Sequence, residues 1–174
     1  MRRVLDSIYL GAAWIAASAI FAIALLVSGQ VLLNFATRAL GLPLPSSIPS
    51  YADFSGFLLA GATFLAMPWT LRSGGHIRVS LLTSRVRGRA RAALEILVLG
   101  LAAALVAYLG VYIVLLVGES LHYGDVSSGM VAVPLWFPQS VIALGIGLLF
   151  VAIVDSLFET AKTGRPAIDD GEDV

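Results

Sequence analysis

Apolar positions along this chain do not alternate; they fall into four long blocks separated by short polar stretches. The blocks run from about Ile8 to Leu33, from about Phe54 to Leu71, from about Ala92 to Val117 and from about Leu135 to Phe158. A helix needs about 20 mostly apolar residues to cross roughly 30 Å of hydrocarbon. Barrel strands would be shorter, about ten residues, and would alternate polar with apolar. Inside lipid the backbone must also satisfy its own hydrogen bonds, which a helix does segment by segment. The pattern therefore predicts an all-α integral membrane fold with four transmembrane helices. The first block follows Met-Arg-Arg, as a signal sequence would. A signal's apolar core is only about 7–15 residues long, so this block is read as a retained helix. With no internal repeat, residues 1–162 are expected to form one four-helix domain. Residues 163–174, ending in Asp-Asp-Gly-Glu-Asp-Val, are expected to be an acidic, disordered tail.

The polar positions orient the blocks. Lys and Arg in short loops mark the cytoplasmic side. Arg2 and Arg3 precede the first span, and only Arg38 lies between spans one and two. Arg72, Arg78, Arg85, Arg87, Arg89 and Arg91 lie between spans two and three, none lies between three and four, and Lys162 and Arg165 follow the fourth. Both termini and the middle link are thus predicted to be cytoplasmic. An even number of spans puts the two termini on one side, so parity and charge agree. The localisation implied is a multi-pass protein of a bacterial inner membrane.

The middle link holds six of the eleven Lys and Arg residues. On a helix of 3.6 residues per turn, Val79, Leu82, Val86, Ala90 and Ala93 form one stripe. Arg78, Arg85 and Arg89 flank one side of it, Arg87 and Arg91 the other. One interpretation is an amphipathic helix in the cytoplasmic membrane interface, its arginine stems along the apolar boundary and their heads on lipid phosphates. The other is a plain loop whose arginines only set topology. Nucleic acid is not an expected partner, because no aromatic residues interleave with the basic ones as stacking platforms.

Composition narrows the chemistry. The chain is 59% hydrophobic and 13% charged, against about 25% charged in soluble domains. The absence of cysteine excludes disulfides, thiolate nucleophiles, iron–sulfur clusters and zinc–thiolate sites. No glycine-rich phosphate-binding signature is present, so nucleotide hydrolysis is not expected. His76 and His122 lie at opposite ends of the spans, which rules out a two-histidine haem or metal site built from both. Asp53, Glu95, Asp155 and Glu159 all sit near span ends and make no chain of ionisable groups across the bilayer. Asp155 and Glu159 are spaced i, i+4, with Lys162 in pairing reach. No enzyme, no cofactor and no independent transport path is expected.

Other positions concern packing. Gln30 and Asn34 share a face of span one that Arg38 continues; such amides bond either a neighbouring helix of the same chain or a partner. Gly100, Ala103, Ala107 and Gly110 on span three, and Gly145 and Gly147 on span four, permit close approach within the bundle or against another protein. Pro68 predicts a kink late in span two. Gly74 and Gly75 predict a tight turn out of it. Pro134 and Pro138 bracket Leu135-Trp136-Phe137, which suits a first helical turn at the membrane interface.

The segment Phe64-Leu-Ala-Met-Pro-Trp-Thr-Leu-Arg-Ser-Gly-Gly-His-Ile-Arg-Val-Ser-Leu-Leu82 resembles the end of span two in the small membrane subunit of TRAP (tripartite ATP-independent periplasmic) transporters, the DctQ-like family. The stretch Gln30 to Phe35 with its following loop, and the stretch Asp125 to Phe150, are similar to the same family's loop and fourth span. The resemblance covers nearly the whole chain in order. Ser80 stands where the family often has an acid, and Asn34-Phe35 where it often has Arg-Tyr, so any role of a carboxylate at Ser80 or of an arginine at Asn34 is not carried over. The resemblance implies a non-catalytic subunit that braces a large multi-span transport subunit. That large subunit would perform sodium-coupled uptake of an organic acid delivered by a periplasmic binding protein, which the small subunit helps to dock. Gln30, Asn34, Asp53, Arg72, His76 and Arg78 would be interface or packing residues. The alternatives are the small subunit of a tripartite tricarboxylate transporter and a four-helix membrane redox protein.

Overall fold

The computed structural model describes residues 2–74 and 89–163, and among these the architecture is all-helical. Four helices are long and apolar enough to span a membrane: α1 (Arg2–Ala39), α2 (Tyr51–Arg72), α3 (Arg89–Tyr123) and α4 (Trp136–Thr163). The first three contain their predicted blocks and extend past them at both ends, while the fourth starts one residue inside its block and extends past its end. At a rise of 1.5 Å per residue, the 38-residue α1 and 35-residue α3 are about 57 and 52 Å long. Both exceed the hydrocarbon thickness, whereas the 22-residue α2 is about 33 Å, close to the minimum.

Close packing joins α1 to α2, α2 to α4 and α4 to α3. The helices thus stand in an open row, α1–α2–α4–α3, rather than around a closed centre. Helices α1 and α3 are edge helices that present most of their surface outward, while α2 and α4 form the middle. The seam between α1 and α2 is built from alanines. Ala12 and Ala16 of α1 and Ala62 and Leu65 of α2 are buried together, with Ala19, Ala66, Val141 and Leu148 against them. Small side chains bring the backbones close, which lets dispersion contacts replace the hydrophobic drive that lipid does not supply.

The α2–α4 contact is tighter. Gly145 lies directly against the backbone of Phe64: a Cβ added at Gly145 would stand 2.7 Å from the Phe64 carbonyl oxygen. That carbonyl is the one Pro68 cannot serve, since proline has no N–H to donate back along the helix. Helix α2 nevertheless runs unbroken through Pro68, which is buried. The bare Cα of Gly145 packs against a carbonyl left without its helical donor, a place for a weak Cα–H···O contact.

The helix ends follow their local chemistry. After α1, Gly41 adopts φ 64° and the Leu42 N–H returns to the Ala36 carbonyl at 3.3 Å. Gly74 has φ 71°, as the predicted turn out of span two required; Gly75 lies outside the described residues. Gly124, φ 70°, ends α3 with its N–H and that of Asp125 both on the Ser120 carbonyl, at 3.0 and 3.1 Å. The α3–α4 loop then folds back on itself. The Ser127 N–H donates to Val133 O and the Leu135 N–H to Asp125 O, both at 2.9 Å. Pro138 falls in the first turn of α4, where its missing N–H costs nothing.

Of the predicted surface helix, Val79, Leu82, Arg85 and Val86 lie outside the described residues. Its last residues, Arg89 to Ala93, belong to α3 without a break. The residues assigned to the tail beyond Thr163 are also outside them.

Candidate functional site

Two polar clusters lock the row of helices, one at each end. At the end that carries both termini, Arg72 closes α2 and reaches across to α4. Its guanidinium donates to Ser156 Oγ at 3.2 Å and to Glu159 Oε2 at 3.4 Å, and lies 3.6 Å from Asp155 Oδ2. Ser156 is fully buried and also donates to the Ala152 carbonyl at 2.9 Å. All three contacts are made by one nitrogen, Nη1, so the knot joins α2 to α4 through a single end of the guanidinium. Tyr9 of α1 is also buried, and its hydroxyl has no hydrogen-bond partner. The sequence pointed to Lys162 as the partner of Asp155 and Glu159; the fold directs both carboxylates to Arg72.

At the opposite end, Gln30 is buried on α1 and clamps the α1–α2 loop. Its Oε1 accepts from the Ile48 N–H at 2.7 Å, and its Nε2 donates to the Ser46 carbonyl at 3.4 Å. Of the two roles open for Gln30, packing within the chain is the one the geometry supports. Asn34 is half-buried on the same helix and Arg38 exposed; the Asn34 backbone carbonyl accepts from Thr37 Oγ1 at 3.1 Å.

Asp53 lies in the first turn of α2, half-buried. It packs on Gly129 of the α3–α4 loop so closely that a Cβ there would overlap its carboxylate and the Ser50 hydroxyl. Ser50 does not cap α2 with its side chain; it stands in the left-handed region at φ 53° and its Oγ accepts from the Val131 N–H at 2.8 Å. The two loops at this end are thus tied together through Ser50, Asp53 and Gly129. Sequence reasoning singled out Asp53 but missed Ser50 and Gly129. A lone Ser before a helix reads as an ordinary N-cap, and a Gly in a loop as an ordinary turn.

His76 and Arg78 lie outside the described residues, as does the body of the basic link. No group of three His, Asp or Glu side chains capable of holding a metal gathers among the described residues. Two grooves on the surface of the described residues are apolar. One of about 300 Å³ lies over α2 between α1 and α4, lined by Ala19, Phe57, Gly61, Phe137 and Val141 among others. The other, of about 460 Å³, lies between α3 and α4 over Ala107, Gly110, Ala143 and Gly147. The chemistry of the clusters is cohesion between helices, with polar groups near span ends where water limits the cost of burial.

Comparison with known proteins agrees with this architecture. No curated protein and no solved structure matches the chain significantly. The family model for the DctQ component of tripartite ATP-independent periplasmic transporters matches residues 27–163. That match takes in the Gln30 clamp, all of α2, α3 and α4, and both loops of the tied end, so the chain belongs to the DctQ family, the small membrane component of these transporters.

Proposed function

We propose that this chain is a non-catalytic brace. It holds the large, multi-span transport subunit in the bacterial inner membrane and helps a periplasmic binding protein dock during cation-coupled uptake of an organic acid. The observation that carries the proposal is the family match over residues 27–163, taken with an open row of helices whose two outer edges are unpartnered among the described residues. A subunit that worked alone would be expected to enclose a path; this one has polar locks at both ends and apolar surface between them. In this reading the end carrying both termini is cytoplasmic. The basic link, through Val79, Leu82 and Val86 with Arg85 and Arg89, lies on the lipid surface there. The tied loops around Ser50, Asp53 and Gly129 face the periplasm and offer a rigid platform to the binding protein. Sodium is the coupling ion and a carboxylate the substrate class that fit such a system.

The test is transport by the large subunit in proteoliposomes, with its binding protein and a sodium gradient, with and without this chain. Uptake should be lost without it. Full uptake by the large subunit alone would sink the proposal.

A further inference from the structure

The two sides of α3 differ in kind. Ala92, Glu95, Leu99 and Ser120 are buried, on the side that packs on α4. Turned away from that side, Tyr108 is 64% exposed, Tyr112 55% and Leu115, at the edge of the groove shared with α4, 61%, and Glu119 and His122 are exposed as well. These five residues are spaced four, three, four and three apart, which places them in one line along the helix. The apolar run of this span, from about Ala92 to Val117, places Tyr108 within about one helical turn of its midpoint. Tyr112 lies one turn nearer the tied loops, about 6 Å along the axis.

Depth makes this line unusual. Tyrosine favours the membrane surfaces, where its hydroxyl meets water or headgroups. From the middle of the bilayer the surface is about 15 Å away, beyond what the side chain can span. Their rings lie 4.7 Å apart. Even a bond between the two hydroxyls would use only one of the two O–H donors, and lipid tails accept none. The outer face of α1 is less polar: Ile20, Phe21, Leu25 and Val31 are exposed and apolar, the Ser18 hydroxyl among them is spent on the Trp14 carbonyl at 2.9 Å, and Ser28, also exposed there, lies only about 8 Å from the end of the apolar run. The α1 face suits lipid, and the α3 face asks for protein.

Resting on the bracing role above, we infer that the Tyr108–Tyr112–Leu115–Glu119–His122 face of α3 is where the large transport subunit docks. A transmembrane helix of that subunit would bring a hydrogen-bond acceptor to the depth of Tyr112 and a cationic or amide donor to Glu119. The groove over Ala107, Gly110, Ala143 and Gly147 opens beside this line and gives the partner's side chains a seat. A second copy of this chain is a poorer occupant. Two copies inserted in the same direction and meeting at this face would set Glu119 against Glu119 at equal depth, and like charges near a low-dielectric medium repel.

The chain is co-expressed with its large subunit, with a benzophenone amino acid at position 115 or, for comparison, at position 21. Irradiation in membranes should join position 115, and not position 21, to the large subunit. In parallel, Tyr108→Phe with Tyr112→Phe, which keeps shape and removes both hydroxyls, should lower the co-purified large subunit about threefold to tenfold in detergent. A photoproduct of two copies of this chain, or a product from position 21 alone with co-purification unchanged, overturns the inference and leaves the bracing role standing. If the unsubstituted chain does not co-purify with the large subunit at all, the bracing role falls first and this inference with it.

Discussion

Arg72 shows how one side chain holds two helices together. Its side chain is only 13% exposed, against 34% for Asp155 and 22% for Glu159, so it is the least hydrated member of the knot. Water near the carboxylates damps the Coulomb attraction, and the hydrogen bond to the buried Ser156 adds what the ion pairs lack. Replacing Arg72 by Met would take from Asp155 and Glu159 the cation that α2 supplies and strengthen the repulsion of a like-charge pair at i, i+4. The Arg72→Met variant should be destabilised by about 2–3 kcal/mol, read as a lower melting temperature in detergent. Adding Asp155→Asn and Glu159→Gln should restore much of the loss. An unchanged melt in the single variant would mean that the knot is solvated and holds nothing. Arg72, Asp155 and Glu159 were all visible in the sequence, yet their pairing was not. Sequence spacing exposes only same-helix neighbours such as Lys162, and Arg72 lies more than eighty positions from its partners.

At the scale of elements, the α2–α4 crossing depends on two residues of opposite habit. Pro68 leaves the Phe64 carbonyl without a donor, and Gly145 allows α4 to lie on that spot. Gly145→Ala would force a methyl into the α2 backbone, which cannot yield as a flexible side chain would; overpacking of this kind costs about 1–3 kcal/mol. Gly147 offers the control, since a Cβ there meets nothing within 4 Å. Thermal denaturation of the two alanine variants should show a lower midpoint for Gly145→Ala and an unchanged one for Gly147→Ala. Equal behaviour would contradict the crossing geometry. Both glycines were equivalent in sequence, two small residues on one span. Position relative to Pro68 separates them, and that relation exists only once α2 and α4 are side by side. The alanine seam of α1 was likewise unremarked, because alanines within an apolar run carry no signal of which face is covered.

For the whole molecule, the open row and the side of the membrane each end occupies are the properties that matter to an assembly. The chain has no cysteine, so single cysteines report on topology without background. Ser47→Cys and Ser128→Cys should react with an impermeant maleimide added outside spheroplasts, and Thr163→Cys only after the membrane is opened. The reverse pattern would invert the proposed orientation. In inside-out vesicles Thr83→Cys should react faster than Leu82→Cys if the basic link lies on the bilayer with Leu82 toward lipid; equal rates would favour the plain loop.

What the sequence determined by itself was the number, order and approximate limits of the helices, and the family. These depend on properties summed along a contiguous stretch: hydrocarbon thickness sets the length of an apolar run, and glycine or proline marks where it turns. The tertiary structure alone decided that the helices stand in a row, that Arg72 serves α4, that Ser50 and Asp53 of α2 lock onto the loop at Gly129, and that Tyr108 and Tyr112 look outward. In lipid the apolar effect does not distinguish one greasy face from another. Helix order is set by small-residue fit and a few polar contacts between distant positions, and these become visible only when the helices are placed together.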